Sequence, residues 1–186
     1  MTPTSQITPD DVLVLMACSA TKIDRKAPAA ELYDGPTWQT LRHHRGAIPL
    51  GNVFVLSGEY AFVSALATLA PYEARISERK ADFLIAGGIH AHNTRFGAIK
   101  PGRMPGASPF VEAGAGGRLI LEPRPYRHVI ACGAGDYGRV FESFLAGFKR
   151  DGLVDASAIT LRPAGGIGEQ RGQLGQWLRQ ANGLAS

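Results

Sequence analysis

The feature that most constrains this chain is the run Val12-Leu-Val-Leu-Met-Ala17, which stops abruptly at Cys18, Ser19, Thr21 and Lys22. An uninterrupted apolar run of this length fits a strand buried on both faces, the kind found in parallel sheets covered by helices on each side. In open α/β sheets ligands bind beyond the carboxyl ends of such strands. The small hydroxyl, thiol and amine groups after Ala17 are therefore placed to line a crevice. Two other runs end similarly: Phe83-Leu-Ile-Ala-Gly-Gly-Ile-His90 and His128-Val-Ile-Ala-Cys-Gly-Ala-Gly-Asp136. The expectation is that these strand ends build one site.

The remaining pattern predicts a single α/β domain over residues 1–186, with three layers and a mainly parallel central sheet. Strands are expected at Val12–Ala17, Asn52–Leu56, Asp82–Ala86, His128–Cys132 and Ala158–Leu161. Helices are expected at Ala27–Tyr33, Pro36–His44, Val63–Leu69, Tyr137–Arg150 and Glu169–Gln180. Phe141, Phe144, Leu145 and Phe148 give the fourth helix one apolar face. Asp136 suits its N-cap and Gly152 its C-terminal stop. The stretch from Gly87 to Gly117 is rich in glycine and proline and reads as a long loop insert. Loops of this length inside a domain usually have a function or are mobile. Phe110–Glu112 and Arg118–Glu122 could pair there as a hairpin.

Composition bounds the class. Hydrophobic residues make up 45% and charged residues 19% of the 186, which excludes a disordered chain. No stretch of about 18 apolar residues exists, so no membrane span is expected. The polar N-terminus lacks a signal-peptide core, and the two cysteines have no Cys-x-x-Cys partner, so the expected setting is cytoplasmic. The net charge of +4 permits a polyanionic partner without requiring one.

Several groups are chemically informative. Ser19 and Lys22 stand three apart, as a nucleophile and base can, but that chemistry wants one helical turn; anion binding by Lys22 with Ser19 is the other reading. Cys18 reads as a nucleophile or as a small buried thiol. Gly166 and Gly168 precede a helix beside Arg171, where a phosphate or close backbone packing would both fit. Asp136 and Glu59 follow apolar strands and are the candidates for acid–base or electrostatic work. His90 and His92 have a His-x-His spacing that a metal could use, yet no third ligand is evident, and no metal or other cofactor is expected.

These segments also carry a resemblance. Cys18-Ser-Ala-Thr-Lys22, Ala27-Pro-Ala-Ala-Glu-Leu-Tyr33, Leu56-Ser-Gly-Glu-Tyr60, Pro71-Tyr72, Gly165-Gly-Ile-Gly168 and Leu174-x-x-Trp-Leu178 occur in that order. The order resembles a family of bacterial and phage proteins distantly similar to the YaaA peroxide-stress proteins and to the uracil-DNA-glycosylase-like superfamily. Where relatives tend to carry lysine and glycine in the Ser-x-x-Tyr-Gly stretch, this chain has Glu59 and Ala61. The resemblance implies a uracil-DNA-glycosylase-like fold and an N-glycosidase that excises a DNA base, for example a modified base in phage defence. Asp136 or Glu59 would stabilise charge on the sugar. Cys18, Ser19, Lys22, Tyr33, Ser57, Tyr60, Gly87, Gly88, His90, Gly133, Gly166, Gly168 and Arg171 would line the substrate site. Arg95, Lys100 and Arg103 would hold DNA phosphates. DNA is the expected partner, with no membrane or protein partner. A nucleoside or nucleotide N-glycosidase, a ribosyltransferase and a non-catalytic DNA-binding protein are the alternatives.

Overall fold

The computed structural model describes residues 7–92 and 125–183. A five-stranded sheet runs through its centre. β1 (Val12–Ala17) lies in the middle, flanked by β3 (Val53–Ser57) and β6 (Tyr126–Cys132), with β4 (Ala61–Ser64) and β7 (Val154–Leu161) at the edges. All neighbours are parallel except β4, which returns antiparallel along β3. A separate two-residue ladder joins β2 (Ala27–Pro28) to β5 (Thr68–Leu69). The helices are α1 (Ala29–Leu32), α2 (Pro36–His44), α3 (Glu78–His92), α4 (Asp136–Arg150) and α5 (Ile167–Ala181).

The continuous apolar run of β1 is divided by the pleat. Val12, Val14 and Met16 face one side and pack with Trp38 and Leu41 of α2 and Leu174, Trp177 and Leu178 of α5. Leu13 and Leu15 face the other and pack with Leu84 of α3 and the phenylalanine stripe of α4. Successive side chains of a strand point to opposite faces, so a strand covered on both sides must be apolar throughout. The result is an α/β fold with a mostly parallel sheet and helices on both faces.

Two elements differ from the sequence expectation. Asp82–Ala86 is not a strand but the middle of α3. A short apolar run does not distinguish a buried strand from a buried helix segment. The deciding signal lies upstream, where Ser77 Oγ accepts the Lys80 N–H at 3.3 Å as a cap and Ala81 N–H bonds the Ser77 carbonyl. Ala81 and Leu84 then fall three apart on the buried side. α3 breaks at Gly88, whose φ of 61° and ψ of −162° are not helical. Gly87 therefore lies in the helical run and Gly88 at its break.

Val63–Leu69 is likewise not a helix. A tight turn at residues 58–60 sends the chain straight back as β4, with Leu56 opposite Phe62 and Ser57 opposite Ala61. Phe54 and Phe62 stack across the pair with centroids 5.4 Å apart. Ala61 turns the corner with φ of 55°, a region that costs a residue bearing Cβ. The last strand is longer than expected and holds a bulge between Val154 and Ile159. The expected hairpin, Phe110–Glu112 with Arg118–Glu122, lies outside the described residues, as does the Gly/Pro-rich stretch beyond His92.

Candidate functional site

The registers place Ala17 beside Leu56 and Met16 beside Cys132, so β1, β3 and β6 end level with one another. Beyond these ends the Cys18-Ser19-Ala20 turn forms a ridge with a cleft on either side. Cys18 N–H extends the ladder to the Leu56 carbonyl at 3.0 Å. Ser19 Oγ accepts the Thr21 N–H at 3.1 Å. The ridge is packed from behind by Gly35, where a Cβ would stand 2.1 Å from Ser19 Oγ. Glycine at position 35 is thus favoured by close approach rather than by turn geometry, since a Cβ there would displace the Ser19 hydroxyl. Trp38 Nε1 donates to the Ala17 carbonyl at 2.9 Å and ties α2 to the end of β1.

The smaller cleft, about 260 Å³, lies toward α2 and α5. Cys18 and Ser19 share its lining with Gly133 after β6, with Thr37 in the first turn of α2 and with Ile167 and Gln170 in the first turn of α5. Cys132 also reaches it. Its thiol is buried, and burial pushes it up to about 12, so it stays protonated at ordinary pH.

The larger cleft, about 370 Å³, opens on the other side of the ridge. Its lining combines Cys18, Ser19, Lys22, Glu73, Arg75 and Tyr137. Tyr137 Oη accepts the Ile76 N–H at 3.1 Å and shares a 3.1 Å hydrogen bond with Cys18 Sγ, in which either group can donate. Burial, then the bond to Cys18, raises this phenol above its ordinary value.

Directly beneath Lys22 is a chain of buried hydroxyls. Ser57 Oγ accepts the N–H groups of Glu59 and Tyr60 and donates to Tyr72 Oη at 2.6 Å. Tyr72 and Tyr33 share a 2.8 Å bond. Burial raises both phenols well above their ordinary values, which keeps them neutral donors. The Lys22 ammonium sits 4.4 Å over the centroid of Tyr72, and its backbone bridges to Tyr33. A cation placed so is attracted to the ring face and held over it.

The residues expected at the site are thus divided. Cys18, Ser19 and Lys22 meet in the larger cleft, and Gly133 joins Cys18 and Ser19 in the smaller. Tyr33, Ser57 and Tyr60 are buried under the site and support it without lining it. Gly87 and Gly88 lie at the opposite end of the sheet, where they line a groove with Asp151 and Leu153 near the start of β7. The reason is the helix that replaces the expected strand: it carries the chain away from the strand ends. His90 continues that helix, and its side chain is outside the described residues, as are Arg95, Lys100 and Arg103.

Asp136 is the first residue of α4 and makes no side-chain cap; Gly135 occupies the cap position. Its carboxylate accepts from Arg139 at 2.8 Å, and the same guanidinium reaches Asp82 at 2.6 Å, toward α3. Glu59 lies in the β3–β4 turn, its carbonyl near Lys80 Nζ. Neither carboxylate belongs to the lining of the two clefts. Gly166 N–H is taken by Glu169 Oε2 at 2.7 Å, which closes that end of α5. Gly168 is exposed, with open space where a Cβ would stand. Arg171 Nε donates to Thr40 Oγ1 at 3.0 Å and joins α5 to α2.

Residues that sequence reasoning missed are Glu73, Arg75 and Tyr137. Glu73 and Arg75 follow the Pro71-Tyr72 motif in a stretch that reads as plain exposed loop. Tyr137 looks like one more aromatic at a helix start. Among the described residues no group of three or more His, Cys, Asp or Glu side chains is placed to hold a metal.

Residues 13–84 match the model of a family described only as a family of unknown function, DUF6884. That span runs from β1 into α3 and contains Cys18, Ser19, Lys22, Glu73 and Arg75, while Tyr137 lies outside it. No curated protein and no solved structure matches the chain.

Proposed function

We propose that the chain is an N-glycosidase that cleaves the bond between a nucleobase and its sugar, with a base in DNA as the leading substrate. The observation that carries this reading is the larger cleft: a carboxylate, two cations, a hydroxyl and a phenol around one nucleoside-sized space between the end of β1, the loop at residues 73–75 and the head of α4. Base excision needs a negative charge near the sugar as the C1′–N bond breaks and its electron pair leaves with the base. Glu73 is the carboxylate that lines this space. It would stabilise the oxocarbenium ion and take a proton from the water that attacks C1′, and the departing base would gain a proton from solvent. Ser19 and Tyr137 offer polar contacts to a base edge, and extrusion of the base would bring it to this depth.

The test is incubation with DNAs that are normal, uracil-containing or carry phage-type modified bases. Abasic sites are read by strand scission in mild alkali and freed bases by mass spectrometry. Release from one of these DNAs is the expected result. Cleavage of free nucleosides or nucleotides without action on DNA would favour the small-molecule alternative. DNA binding without any product would favour the non-catalytic one.

A further inference from the structure

Resting on that reading, we infer that the Lys22 side of the larger cleft is a subsite for a phosphate group, so the substrate is recognised as a nucleotide and not as a nucleoside. Lys22 is half-buried, and among the described residues its ammonium makes no ion pair with a carboxylate. Its contacts are the Ala20 carbonyl at 3.4 Å and the face of Tyr72. Neither neutralises it.

The platform under it is unusually well fixed. Tyr72 is bonded to Ser57 and Tyr33 and is met edge-on by Tyr60 with centroids 5.4 Å apart. Three buried hydroxyls are a costly arrangement for a core, and here they hold one ring beneath one cation. Arg75 lines the same cleft, and Ser19 adds a hydroxyl. Among the described residues of the lining Glu73 is the one carboxylate, and it offsets one of the two positive charges. The cleft therefore keeps a net positive charge with donors on separate walls, which suits an anion that accepts from several directions. It is also too large for a phosphate alone and leaves room for the attached sugar. The phosphate can belong to a free nucleotide or to a DNA strand.

The experiment compares binding of deoxyuridine 5′-monophosphate, deoxyuridine and inorganic phosphate to the full chain by calorimetry, with a short single-stranded oligonucleotide as a fourth ligand. The nucleotide should bind about tenfold or more tightly than the nucleoside, the scale of one charge-assisted hydrogen bond, and inorganic phosphate should compete with it. Lys22→Ala should erase this difference, and Arg75→Ala should reduce it. Circular dichroism of both variants checks that the fold is kept. If the strand is the source, the oligonucleotide binds more tightly than the mononucleotide and Lys22→Ala weakens it too; if the free nucleotide is the source, the order is reversed. Equal binding of nucleotide and nucleoside, no binding of either, or a difference that survives Lys22→Ala in a folded protein would overturn the subsite. Base release without phosphate discrimination would sink the subsite alone. Phosphate discrimination without base release would sink the reaction and leave the subsite standing.

Discussion

Asp136 and Glu73 show how little a residue's position in the chain says about its availability. Asp136 follows the end of β6 as a reacting carboxylate should, yet its oxygen is already engaged by Arg139. Glu73 sits in a loop without any motif and lines the cleft beside Cys18 and Lys22. The two make different predictions. Glu73→Gln should lower kcat for base release by about a hundredfold or more, the usual worth of a general base, with KM little changed. Asp136→Asn should leave turnover close to wild type, because the cleft does not depend on its charge. Single-turnover kinetics on both variants decides; loss with Asp136→Asn alone would return the chemistry to the head of α4. At this scale the sequence was informative where a residue directly follows a long strand, as at Cys18, Ser19, Lys22 and Gly133. Glu73, Arg75 and Tyr137 were not legible, since contact between distant loops leaves no local pattern.

At the scale of elements, period and caps decided what could be read. β1, β6, α2 and α4 are announced by unbroken apolar runs or by a clear helical stripe. The run at Asp82–Ala86 satisfies both templates, and only the Ser77 cap distinguishes them. β4 carries no strand alternation because both its faces are buried, so pairing with β3 and not its own pattern sets its structure. β6 also carries a titratable liability. His128 is buried, its Nδ1 has no hydrogen-bond partner among the described residues, and burial holds its imidazole below the ordinary value of 6.5. His44 is lowered as well, by partial burial and then by His43 and Arg179. For a group lowered in the folded state, the unfolded chain binds the proton first. Stability should therefore be full above about pH 6.5 and fall as the pH drops through that value. Urea midpoints at about pH 7.5 and about pH 5.5 measure this. His128→Leu should flatten the dependence and leave the part due to His44; an unchanged slope would show that His128 is not its source.

At the scale of the whole molecule, the sheet puts two different surfaces at its two ends. At the carboxyl ends of β1, β3 and β6, the ridge at Cys18-Ser19-Ala20 separates two clefts whose walls come from chain segments more than a hundred residues apart. At the other end, the groove between α3 and α4 is lined by Gly87, Gly88, Ser143, Arg150 and Asp151, away from the carboxyl ends of the strands. The central claim is that ligand recognition belongs to the first surface. Amide hydrogen exchange of the full chain, with and without a saturating short single-stranded oligonucleotide, tests this most directly. The account predicts added protection in peptides covering residues 17–22, 73–77 and 133–137, with the groove at 85–88 and 150–153 unchanged. Protection confined to that groove, or no change at the strand ends with the oligonucleotide bound, would contradict it.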